Sequence, residues 1–294
     1  MKKLEAQVKD VPIAGRDRSR AFGSILVEHG RLSPSDAEEI ERYAGANGLR
    51  FGDAAVQLKL LNQEDIAFAL AHQYNYPILP RGGETGVSDA VVAAYNPQSE
   101  LVEPLRAIRT QISHRWLDDS SRKAVAILSP CRHEGRSWLA ANLATLFAQI
   151  GERTLLIDAD MRHPSQHLLF NINNSLGMSA LLTGRAGKEA AIRVHPQLRL
   201  FVLPAGALPP NPQELLARPV FDVVLERFIE QFDVILIDTP AATESADAHM
   251  LARRSGAAVM MARRHHTPHA KMVGAIRDMS HTGVNVIGSV MNEY

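Results

Sequence analysis

Ser129-Pro130-Cys131-Arg132-His133-Glu134-Gly135-Arg136-Ser137 lies between an apolar run, Ala124 to Leu128, and a stretch of helical composition, Leu139 to Ile150. A strand, a short polar loop and a helix form the setting in which successive backbone amides and the positive end of a helix bind phosphate. Such a loop also uses a cation to reach the β and γ phosphates, and a Ser or Thr hydroxyl to hold Mg2+. Gly135 and Ser137 keep two of those parts, and position 136 carries Arg in place of Lys. Arginine keeps the charge, but its planar fork is bulkier and aimed differently from an ammonium. His133 stands where glycine usually permits tight backbone curvature.

Two further segments support the same reading. Leu155-Leu156-Ile157-Asp158-Ala159-Asp160-Met161-Arg162 sets two carboxylates and an arginine at the end of one apolar run, and Val234-Ile235-Leu236-Ile237-Asp238-Thr239-Pro240 sets a third carboxylate after another. Open α/β sheets bind ligands at the carboxyl ends of their strands, and an aspartate there is a common Mg2+ partner. Either segment alone reads more readily as a strand ending in a polar turn. Three phosphate-site elements in one chain order favour a nucleotide site. Candidate strands are Ala124 to Leu128, Thr154 to Ile157, Leu200 to Leu203, Val234 to Ile237, Ala257 to Met261 and Val284 to Val290, with helical stretches between them. They predict an α/β fold, a parallel sheet with helices on both faces.

Upstream the composition changes. Residues 1 to 19 carry Lys2, Lys3, Lys9, Arg16 and Arg18 without an apolar period and read as a flexible basic arm. Residues 20 to 79 contain a repeat: Phe22-Gly23 with Val27, Leu32 and Asp36 recurs as Phe51-Gly52 with Val56, Leu61 and Asp65, at an offset of 29 residues. Ser33 with Asp36, and Asn62 with Asp65, are helix N-cap pairs, so two helix pairs forming a small all-α module are expected. Pro80, Gly82, Gly83 and Gly86 mark a linker over 80 to 97, and the α/β domain is expected over 98 to 294.

The chain has 294 residues, with 32 Lys plus Arg against 32 Asp plus Glu. That balance argues against a bulk nucleic-acid binder, and no nucleic-acid partner is expected. A single cysteine, Cys131, excludes an internal disulfide framework. No apolar run approaches the roughly 20 residues of a membrane span, and MKKLEAQVKD lacks the apolar core of a signal peptide, so a cytoplasmic location is expected. His265, His266 and His269 lack carboxylate or cysteine spacing and read as a solvated turn.

The ordered set SPCRHEGRS, LLIDADMR and VILIDTP resembles the Walker A, Walker A′ and Walker B segments of the bacterial tyrosine kinases, P-loop kinases of exopolysaccharide and capsule export. Glu103-Pro104-Leu105-Arg106-Ala107-Ile108-Arg109-Thr110 is similar to that family's subunit-interface helix. Gly206 to Leu216 is similar to its proline-rich loop, with Asn211 as N-cap, Pro212 as first helical residue and Glu214 as capping-box partner. Within the family the resemblance is to the EpsG-type, chain-length-determinant-associated branch, which acts beside a separate membrane protein. It implies ATP and Mg2+ as cofactors, with Asp158 as the base for the tyrosine hydroxyl and Arg136 in the place of the phosphate lysine. Glu134, Gly135, Arg136, Ser137, Trp138 and Arg162 would line the nucleotide, and Ser137, Asp160 and Asp238 would hold the metal. Glu103, Arg106 and Arg109 would form an interface between like copies, and Tyr294 is the phosphoacceptor candidate. The implied partner is the membrane chain-length-determinant protein, which would place the chain peripherally at the inner membrane.

The crowded loop also permits a catalytically impaired scaffold, and a partitioning-type P-loop ATPase is a further alternative. The latter normally needs an extra lysine near Cys131 to His133, and none is present. The repeat resembles the N-terminal domains of type II secretion and pilus-assembly ATPases, some of which bind cyclic di-GMP; Lys59 stands at a glycine position of that pattern.

Overall fold

The computed structural model describes residues 17–74, 76–79 and 86–294, with side chains from position 22 onward. The chain divides into two units, Met1–Pro77 and Ile78–Tyr294. Of the expected arm, residues 1–16 lie outside the described residues, and positions 17–19 already belong to the first helix.

The first unit is α1 (Asp17–Glu28), α2 (Pro34–Asn47), α3 (Phe51–Gln57) and α4 (Gln63–Gln73). Both predicted caps form: Ser33 accepts the amide of Asp36, and Asn62 and Asp65 make a reciprocal capping box. Phe22, Leu26, Leu32, Ile40, Phe51, Leu61 and Phe68 form its core. The repeat extends to the backbone, because Gly30 and Lys59, 29 positions apart, both adopt left-handed φ, +66° and +57°. Glycine takes that conformation without cost and lysine does not.

The second unit begins with α5 (Val92–Tyr95) and α6 (Val102–Ile112), the latter continued by a π-helical turn, Ser113–Leu117. The described part of the expected linker belongs to this unit's core. Val87, Val91, Ala93 and Ala94 of that stretch are buried there, as is Leu79, which was expected to close the helical module. Asn142 binds the amide of Ala93 and the carbonyl of Ala90, and Gln149 donates to the carbonyl of Ala93. A helix with buried amide side chains needs polar partners, and this segment supplies them.

The sheet comprises β1 (Ala124–Leu128), β2 (Thr154–Asp158), β3 (Ile192–Arg193), β4 (Leu200–Leu203), β5 (Val234–Asp238), β6 (Ala257–Arg263) and β7 (Asn285–Asn292), in the order β3-β4-β2-β5-β1-β6-β7. Every neighbouring pair is parallel except β3 with β4. Each predicted strand is present; β3, two residues long, was not predicted. The remaining helices are α7 (Arg136–Gln149), α8 (Gln166–Leu169), α9 (Met178–Leu182), α10 (Pro212–Ala217), α11 (Val220–Gln231), α12 (Asp247–Ser255) and α13 (His269–His281).

The strands are buried on both faces because successive side chains point to opposite sides. Val125, Ile127 and Leu156 share one core with α5, α6 and α7. Leu155, Ile157, Ile235 and Ile237 pack with α9, α10 and α11, and Ala126, Leu128 and Met260 with α12 and α13. Pro212 opens α10 as expected, but Asn211 makes no side-chain cap hydrogen bond, so the predicted capping box does not form. No helix among the described residues is long and apolar enough to cross a membrane.

Candidate functional site

Register brings the acidic residues together. β2 and β5 pair in parallel with Asp158 opposite Asp238, and Asp238 also lies opposite Ile127 of β1. Neighbouring strands are about 4.8 Å apart, so the two carboxylates leave the sheet side by side. The loop after β1 starts one strand over. It is sewn to the exit of β5, because Ala242 and Thr243 donate their amides to the carbonyls of Ser129 and Pro130. His133 takes φ +58° and Gly135 φ +97°, so the loop holds a left-handed residue that is not glycine. A side chain at Gly135 would meet Asn292 Nδ2 at 2.9 Å and the Met261 methyl at 3.0 Å.

Arg136 is buried, and its guanidinium lies under the loop. Nε donates to the Thr239 carbonyl at 2.8 Å; Nη1 donates to Ser129 Oγ at 2.5 Å and to the Cys131 carbonyl at 2.9 Å. Nη2 lies 3.8 Å from Asp160 Oδ2. Asp160 Oδ1 accepts the amides of Arg162 and His163, fixing the turn after β2. Arg162 extends to α12, where its Nε pairs with Asp247 Oδ2 at 3.1 Å.

Asp158 and Asp238 are fully buried. Asp158 Oδ2 accepts the amides of Ser165 and Gln166, at 3.0 and 2.9 Å. Asp238 accepts from the Gln166 side-chain amide at 2.7 Å and from the Ser137 side chain. Burial, then the neighbouring Asp238 charge, holds the Asp158 carboxyl well above the usual range despite the two amides. Burial raises Asp238 to about 6, against the lowering influence of Arg136, Gln166 and Ser137.

Glu134 is also fully buried, and its carboxylate is engaged within the loop's own scaffold. Oε2 accepts the Cys131 amide at 2.8 Å, and Oε1 accepts the Thr267 hydroxyl. The turn after β6, expected to be solvated, clamps the loop: Arg263 Nη1 donates to the His133 carbonyl, and His266 Nε2 lies 3.0 Å from the Arg132 carbonyl. Asn292 donates to the Glu134 carbonyl from the end of β7 and accepts the Tyr294 amide; the Tyr294 side chain is exposed. Trp138 is half-buried against the core beneath α7. On α6, Arg106 pairs with Glu103 and donates to the Pro97 carbonyl, and Arg109 donates to the Leu146 carbonyl on α7. This helix stands apart from the acidic cluster.

The donor set suits a hard divalent cation. Among the described residues, Asp158 Oδ1, Asp238 Oδ1 and Gln166 Oε1 are buried without a hydrogen-bond partner, as are Ser165 Oγ and His167 Nδ1 on either side of Gln166, Asp247 Oδ1, and Ser179 Oγ. Each such acceptor costs about 1–3 kcal/mol if left unmet, and like charges add to that cost. No group of three or more His, Cys, Asp or Glu among the described residues could cage a metal unaided. Mg2+ is normally held by one or two carboxylates together with water and phosphate oxygens, which matches this arrangement. Gln166, Asp247, Thr267 and Asn292 were not anticipated from the sequence, and no local pattern announces them.

A family model described as "Cellulose biosynthesis protein BcsQ" matches residues 127–287. The chain is 34% identical to tyrosine-protein kinase YwqD of Bacillus subtilis over 69% of its own length and 85% of that protein. It is 33% identical to the putative tyrosine-protein kinase CapB of Staphylococcus aureus, over 67% and 86%. Against tyrosine-protein kinase ptk of Acinetobacter johnsonii it is 32% identical and spans only 28% of that longer protein. Among solved structures, the kinase domain of Escherichia coli tyrosine kinase ETK superposes with a TM-score of 0.66 at 28% identity, covering 69% of this chain and 79% of that one. The Pyrococcus furiosus cell division ATPase MinD, at 23% identity and a TM-score of 0.52, covering 59% of this chain and 73% of that one, shares the fold. These likenesses show that the chain belongs to the bacterial tyrosine kinase family.

Proposed function

We propose that the chain is an ATP-binding, tyrosine-kinase-like component of exopolysaccharide production that acts beside a membrane chain-length-determinant protein. The observation that carries this reading is the pair of register-matched, buried aspartates whose outer oxygens have no protein partner. Bound Mg2+ would supply charge neutralisation on the transferring phosphoryl group. Ser137, Asp160 and Asp238 would hold it, directly or through water. The amides of residues 132–137 and the start of α7 would cradle the phosphates, the Cys131 amide being held by Glu134. Asp158, whose carboxyl burial and the neighbouring Asp238 charge hold well above the usual range, suits the base that accepts the tyrosine proton, because a raised carboxylate takes up a proton more readily. Gly135, Trp138 and Arg162 would flank the nucleotide, and Glu134 shapes the loop from within.

The test is incubation with Mg2+ and labelled ATP, with and without the partner's cytosolic tail. Label on tyrosine, with exposed Tyr294 the first candidate, supports the kinase reading; no label on any tyrosine overturns it. A second reading, a scaffold that does not turn over, is favoured by the capture of Arg136 by Thr239, Ser129 and Cys131. A wild type silent to nucleotide beside a responsive Arg136→Lys variant would select it. Assembly with like copies through Glu103, Arg106 and Arg109 belongs to the same proposal, as does a cytoplasmic place held at the inner membrane by the partner. The helical unit is read as a docking module, with cyclic di-GMP the ligand its resemblance offers as the alternative; titration calorimetry with that dinucleotide decides between them.

A further inference from the structure

Gln166 touches each element of the acidic cluster. Its backbone amide donates to Asp158 Oδ2 at 2.9 Å, and its side-chain Nε2 donates to Asp238 Oδ2 at 2.7 Å and to the Ser137 carbonyl at 3.0 Å. One fully buried residue thus joins the ends of β2 and β5 to the first turn of α7. The amide can face only one way, since exchanging its nitrogen and oxygen would set Oε1 against two acceptors. Both Oδ2 atoms are therefore committed. In these three residues the atoms left without partners are Asp158 Oδ1, Asp238 Oδ1 and Gln166 Oε1. Two carboxylates on adjacent strands would otherwise rotate apart to relieve their repulsion. The amide NH2 group holds one of them, and the start of α8 holds the other.

We infer that the Gln166 side chain is a positioning group that turns the free oxygen of Asp238 toward Mg2+ beside Ser137, while its backbone amide holds Asp158, the base, in place. This rests on the nucleotide-site reading above. Such supporting groups fix ligand orientation, and losing one typically lowers metal affinity about 10–100-fold. The test measures Mn2+ affinity by electron paramagnetic resonance in the presence of ADP, and ADP affinity in EDTA, for the wild type, Gln166→Leu and Gln166→Ala. Leucine keeps the volume and removes the donors. Both variants should bind Mn2+ about 10–100-fold more weakly with ADP affinity in EDTA unchanged, and the wild-type Gln166 side-chain amide resonance should shift on Mg2+ addition.

A Leu variant with wild-type Mn2+ affinity, as a packing role alone would give, overturns the inference. So does a Gln166 amide signal indifferent to Mg2+, a measurement that needs no variant to fold. A wild type that binds neither Mn2+ nor ADP overturns the nucleotide-site reading itself, and this inference with it.

Discussion

The helical unit and the carboxyl edge of the sheet handle polar groups in opposite ways. In the first, Ser33, Asn62 and Asp65 satisfy the amides that helix starts leave open, and a continuous apolar core does the rest. At the sheet edge, two buried like-charged carboxyls stand side by side, acceptor oxygens of Asp158, Asp238, Gln166 and Asp247 lack partners, and His133 is held at positive φ. Local rules are met where only a shape is needed. They are broken where a ligand must be met, because strain and unpaired polarity persist only when the surroundings impose them. Among the described residues of the helical unit, Lys59 is an exception, since it occupies the left-handed position that Gly30 fills in the other copy.

Substitutions can sharpen or break this contrast. The largest effect is expected for Asp158→Asn, which removes the proton acceptor and should lower tyrosine phosphorylation by about 10^2–10^4-fold while the protein melts no lower than the wild type. Loss of the fold instead would mean that Asp158 serves stability.

Asp238→Asn comes next. The folded carboxyl titrates near 6 against an ordinary 3.8, so between those values the folded state keeps a proton that the unfolded chain has released. Stability therefore falls as pH rises through that window, and above about 6 the penalty is complete. Asparagine does not titrate, so the variant should be more stable than the wild type at pH 7.5 by about 3 kcal/mol, with the gain fading toward pH 4. Equal denaturant midpoints at both pH values would break the contrast from the site's side.

In the helical unit the effects are smaller. Asn62→Ala should cost about 1 kcal/mol, read as an earlier urea transition. Lys59→Gly should gain about 0.5–1 kcal/mol by relieving the left-handed strain, and Gly30→Ala should lose a similar amount. If both glycine-site changes have the same sign, the repeat does not carry a matched backbone.

Much of this contrast was legible in the residues. The β1, β2 and β5 runs are five apolar-rich residues each, and an aspartate closes both β2 and β5. Both caps in the helical unit are local, three residues apart, and were read directly. β3, Ile192 and Arg193, is too short to show alternation. The 80 to 97 stretch looked like a linker because proline and glycine dominate its start, while the clue to its packing, Asn142 and Gln149, lies some fifty residues away. The residues that complete the site were hidden for the same reason. Gln166 reaches Asp238 across 72 positions, Arg162 reaches Asp247 across 85, and Glu134 meets Thr267 across 133. Only the folded sheet brings such pairs together.

The most direct measurement is the melting temperature of the wild type at pH 7.5 with ADP, in excess Mg2+ and in EDTA. A ligand that binds only the folded state raises stability by about 2.7 kcal/mol at a hundred times its dissociation constant. If the unpartnered oxygen of Asp238 awaits a cation beside a nucleotide, the Mg2+ sample melts several degrees higher, and Asp238→Asn abolishes most of that rise. Identical curves in Mg2+ and EDTA would contradict the account.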